Sequence, residues 1–79
     1  MTKFAPAATG SYKKSAQQTK SLLLNRGFTI AETHRMTFTT NSVELMSDEV
    51  ELANRVAETL GWSLVKTNWI IYVRMNDDN

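Results

Sequence analysis

Residues 27–40, GFTIAETHRMTFTT, and residues 61–74, GWSLVKTNWIIYVR, follow one pattern. Set glycine on glycine, each has an aromatic next (Phe28, Trp62), then a small hydroxyl residue (Thr29, Ser63) and an aliphatic (Ile30, Leu64). A charge follows (Glu32, Lys66), then a shared threonine (Thr33, Thr67) and a short polar residue (His34, Asn68). Glycine just past a helical run takes the left-handed conformation that other residues adopt only at a cost, so each stretch reads as a helix stop. After each glycine the apolar period changes toward two, the mark of a strand.

The run before Gly27 predicts a helix over Tyr12 to Arg26 with Ser11 as N-cap. Tyr12, Ala16, Thr19, Leu22 and Leu23 fall on its apolar face. The run before Gly61 predicts a second helix capped by Ser47, with Asp48 and Glu49 favourably placed against the helix dipole. Val50, Ala53, Val56, Ala57 and Leu60 form its stripe, and Glu51 with Arg55 makes an i,i+4 pair. Strands are expected over 28–33 and 36–40, joined by a turn near His34, and over 62–67 and 69–75, joined near Asn68. WIIYV at 69–73 is the strongest strand signal and reads as a central strand. Residues 41–47, NSVELMS, fit a short strand, a loop or an early helix start.

The predicted order is αββαββ, an α+β pseudo-repeat. Its simplest arrangement is a four-stranded, mostly antiparallel sheet with two helices on one face. Residues 1–10 read as a flexible arm, 11–75 as a single domain and 76–79 as a frayed tail. At 79 residues the chain has room for one modest core. It has no cysteine, which excludes disulfides and thiolate-held metals. The absence of a membrane-length apolar run or a signal-like start leads us to expect a cytoplasmic protein that binds no membrane and carries no cofactor.

The net charge of +1 conceals an asymmetry. Residues 1–40 carry six basic side chains against Glu32 alone, and the remainder carries three against seven acids. Lys13 and Lys14 lie in the first turn of the first helix, where positive charge opposes the dipole, so helix stability does not explain them. With Ser11 and the first-turn amides they suggest an anion site that Lys20, Arg26 and Arg35 extend, suited to nucleic-acid phosphates or an acidic protein surface. Glu44, Asp48, Glu49 and Glu51 suggest the competing class, in which an inhibitor or accessory factor binds a partner such as a host protein through an acidic helix or a sheet edge. Opposed charges also allow a homodimer. Trp62 and Trp69 are expected in the core.

His34 is the single histidine. The run LLLNRGF, followed by strands and a histidine, resembles the opening of the HicA-type mRNA interferase toxins, a resemblance that implies a catalytic role for His34. That family has Gly-Ser-His where this chain has Glu32-Thr33-His34, at shorter spacing from the glycine. The likeness covers about one third of the chain and does not extend to the motif, so the expectation is a non-catalytic binding module.

Overall fold

The structure, a computed structural model, describes residues 11–76. The arm expected over 1–10 and positions 77–79 of the expected tail lie outside the described residues, as do the side chains of 11–14. The elements in chain order are α1 (Ser11–Asn25), α2 (Ile30–Thr33), β1 (Thr37–Phe38), β2 (Ser42–Met46), α3 (Val50–Leu60), β3 (Ser63–Lys66) and β4 (Ile70–Arg74). The strands form one four-stranded antiparallel sheet in the order β1-β2-β4-β3. The α+β class, the four antiparallel strands and the central place of β4 are as the sequence predicts.

Both glycines end helices. The Phe28 amide reaches back to the Leu23 carbonyl at 3.1 Å and that of Trp62 to Ala57 at 3.0 Å, with Gly27 at φ 104° and Gly61 at φ 72°. This is the left-handed closure expected when a glycine follows the last turn. The aromatic behind each glycine is thereby aimed at the core, where Phe28 is buried and Trp62 packs alongside.

The first strand pair departs from expectation. Residues 28–33 are not a strand: Thr29 and Glu32 form a reciprocal capping box that starts the single turn α2. The Thr29 hydroxyl accepts from the Glu32 amide at 3.1 Å, and the Glu32 carboxylate accepts from the Thr29 amide at 2.9 Å. These bonds satisfy amides that a strand would have to pair elsewhere. His34 therefore closes a helical turn and joins no two strands. The first hairpin lies further along, in β1 and β2, which resolves 41–47 largely as strand and shortens the strand expected over 36–40 to two residues.

Register relates the two hairpins closely. Phe38 opposes Val43 as Lys66 opposes Ile71, and Thr37 opposes Glu44 as Val65 opposes Tyr72, each pair shifted by 28 positions (65 − 37). The second strands meet at the centre, where Glu44 opposes Tyr72, also 28 apart (72 − 44), and Ser42 opposes Arg74 as Met46 opposes Ile70. The pairing is that of a two-fold axis through Glu44 and Tyr72. Thr39, not Thr33, therefore holds the place of Thr67. The glycines are 34 apart (61 − 27), and the difference of six residues is taken up by the segment that contains α2.

Alternation across this register sorts the side chains. Val43, Leu45, Ile71 and Val73 face α1 and α3 and are almost fully buried with Leu23, Ala53 and Val56. On α1 the buried positions are Ser15, Thr19 and Leu23, one turn apart, while Leu22 is partly exposed. On α3 they are Leu52, Ala53 and Val56, with Val50 turned outward. Ser47 does not cap α3: Glu49 holds the N-cap position without a side-chain bond. The Ser47 amide instead donates to the Trp69 carbonyl at 3.0 Å, which ties the turn before α3 to the β3–β4 loop. Asn76, expected in the tail, donates from Nδ2 to the Gly61 carbonyl at 3.0 Å and accepts from the Ser63 hydroxyl.

Candidate functional site

Three surfaces hold the residues singled out by the sequence. The first is the cleft between α2 and the start of α3, lined by Glu32, Arg35, Asp48, Glu49, Glu51 and Arg55. Arg55 lies with its guanidinium carbon 4.6 Å from the centroid of the Phe28 ring and its Nη1 2.9 Å from Glu32 Oε2. It does not pair with Glu51 as the helical spacing suggests. The amide of Thr29 and then the guanidinium of Arg55 hold the Glu32 carboxyl below its ordinary pKa, since both favour the charged form. Arg35 Nη1 lies 3.3 Å from Glu49 Oε1. Arg35 and Glu49, expected in opposite binding sites, thus join in one ion pair.

The second surface is the outer side of α1. Ser11, Lys13 and Lys14 lie in its first turn, Lys20 is half-buried, and Arg26 is exposed just past its end. Gln17, Gln18, Ser21 and Asn25 are exposed on the same helix, whose sequence contains no acid. Such a face offers hydrogen-bond donors without a carboxylate to repel an anion.

The third surface went unnoticed in the sequence. On the side of the sheet away from the helices, register aligns Thr37, Glu44, Tyr72 and Val65 in one row, Ser42, Arg74 and Ser63 in a second, and Met46 with Ile70 in a third. No described element covers this face. Met46 is 62% exposed and Val65 44%. Trp69 is 77% exposed in the adjoining loop, against the expectation of a core position, whereas Trp62 is partly buried against the core. The loop itself is ordered by Thr67, whose Oγ1 accepts from the amide of Ile70 at 3.1 Å and donates to the carbonyl of Ile70 at 2.9 Å. Glu44 belongs to this face, whereas Asp48, Glu49 and Glu51 line the α2–α3 cleft. The signal available in the sequence was the alternation of Glu44 and Met46 with Val43 and Leu45, legible only once 42–46 is known to be a strand.

His34 is exposed beside the α2–α3 cleft and makes no side-chain hydrogen bond among the described residues. The described residues contain no cluster of three or more potential metal ligands. Among them no helix is long and apolar enough to cross a membrane. Comparison with protein-family models, curated proteins and solved structures returns no match. The local strand on which the likeness to the interferase toxins relied is also replaced by α2.

Proposed function

We propose that this chain is a non-catalytic binding module that engages a protein through the open face of its sheet. The observation that carries the reading is the adjacency of Met46, Ile70, Tyr72 and Val65 on a face that no described element covers. Large apolar side chains set side by side on a rigid sheet favour a contact that removes them from water, by about 25 cal/mol for each Å² buried. The face carries Glu44 and Arg74, one charge of each sign, which suits a mixed protein surface better than a uniformly negative backbone. A photocrosslinking side chain placed at Val65 should capture a protein in the native cell, and capture should fall when Met46→Glu is added. Crosslinks to nucleic acid, or none above those from a probe at exposed Asn54, overturn the reading.

A second reading follows from the acid-free face of α1, which favours nucleic-acid phosphates bound by Lys13, Lys14, Lys20 and Arg26. Contacts of this kind release counterions, so affinity for a nucleic acid should fall steeply as salt is raised, by about 0.9 in log K per phosphate and log unit of salt. Binding through the sheet face should persist in high salt. Reversal of Lys20 and Arg26 to Glu separates the two, because it abolishes phosphate binding and leaves binding through the sheet face intact.

A further inference from the structure

We infer that the occupant of the open sheet face is a second copy of this chain, so that two sheets pack face to face with the helices outside. The inference rests on the protein-binding reading and names its partner. The apolar part of the face is continuous: Met46 lies opposite Ile70, Tyr72 opposite Val65, and Ile70 and Tyr72 are successive outward positions of one central strand.

The charges of the face are self-complementary. Its charged side chains are Glu44 and Arg74, on neighbouring rows of β2 and β4. A two-fold contact brings each surface against itself, so every pairing made once is made twice. An in-plane two-fold axis that sets Glu44 against Arg74 of the partner subunit sets Arg74 against Glu44 of the partner subunit as well, and both charges leave water with a counter-charge. An unrelated partner must supply that pattern separately. Sheets of equal twist also stack with their strands near-aligned, and two copies of one sheet have equal twist.

Area sets the strength. The sheet is four strands of two to five residues, so at about 4.8 Å between strands and about 3.4 Å per residue its face is on the order of 300 Å², well below the roughly 800 Å² per partner of a standard-sized interface. All of the face must therefore be used, and the dimer is a weak one, assembling at micromolar concentrations or above.

Sedimentation velocity of the full chain from about 1 to about 200 µM, a range that brackets micromolar association, tests this. The expected result is a concentration-dependent shift from monomer to dimer. Met46→Glu and Val65→Glu, both at exposed positions of the apolar patch, should each weaken association at least about tenfold, since each places a charge in a face that must lose its water. Glu44→Arg and Arg74→Glu should each weaken it too, while the double exchange in one chain should restore it, as a contact that sets position 44 against position 74 of the partner subunit requires. Far-ultraviolet circular dichroism and thermal midpoints establish that each variant is folded. A wild-type chain that stays monomeric throughout overturns the inference, as does a dimer indifferent to the four substitutions. If the chain is monomeric yet the photocrosslink at Val65 captures another protein, the binding reading stands and self-association alone fails.

Discussion

Glu32 uses both of its carboxylate oxygens. One carboxylate oxygen closes the capping box with Thr29, and the other meets Arg55, which also covers Phe28. Its folded-state pKa is lowered, first by the Thr29 amide and then by Arg55, so its contribution to stability is fully present above the unfolded value. That contribution is lost as the pH falls through the folded value. Glu32→Gln keeps an acceptor for the cap but removes the titration. The variant should therefore be less stable than the wild type at neutral pH, and the gap should close on acidification, as read from thermal midpoints of both proteins between neutral and acid pH. A constant gap rules out the linkage. Thr29→Ala removes the other half of the box and should cost about 1 kcal/mol in urea denaturation, the usual effect of losing an N-cap. The box was legible as Thr29-x-x-Glu32. It was masked by the alternation of Phe28 and Ile30, which suggests a strand, although Ile30 is 63% exposed.

Among the elements, those set by local backbone chemistry were the legible ones. Glycine stops and the apolar run of β4 depend on residues within a few positions, and both stand where expected. β1, two residues long, exists because β2 lies beside it, and no local propensity announces so short a strand. The start of α3 shows the same limit: Ser47 has capping chemistry, but its amide is drawn to the Trp69 carbonyl across the sheet end. Pairing Thr33 with Thr67 fails for a related reason, since α2 displaces the first hairpin and Thr39 takes the equivalent place. Its hydroxyl reaches the Ser42 carbonyl at 3.3 Å as that of Thr67 reaches Ile70. The two stops give a further expectation. A Cβ added at Gly27 or Gly61 meets nothing within 4 Å, so only the left-handed backbone opposes substitution. Gly27→Ala and Gly61→Ala should each cost roughly 1–2 kcal/mol in chemical denaturation. A much larger loss at either position would point to packing that the structure does not contain.

The two halves are joined by charge at the surface and by one core beneath. Both ion pairs among the described residues cross between halves, Arg35 to Glu49 and Glu32 to Arg55, so the opposed charges of the sequence partly cancel within the fold and are not all left for a partner. Arg35 is more than half exposed, and a pair in such a setting contributes at most about 1 kcal/mol. The core is different in kind. Ile71 is fully buried in central β4, opposite Leu45 on one side and Lys66 on the other, and belongs to the cluster that includes residues of α1 and α3. A domain of this length has a total stability of about 4–12 kcal/mol, and truncating a buried isoleucine to alanine typically removes about 2–5. Ile71→Ala should therefore lower the unfolding free energy measured in urea severely, whereas Trp69→Ala in the exposed loop should leave it within about 0.5 kcal/mol of the wild type. Because α1, α3 and all four strands contribute to or flank the same cluster, circular dichroism and the fluorescence of Trp62 should report one coincident transition in the variant as in the wild type, with the slope in urea unchanged. Helical signal persisting after the Trp62 signal has been lost would mean that the helices are held by something other than this core.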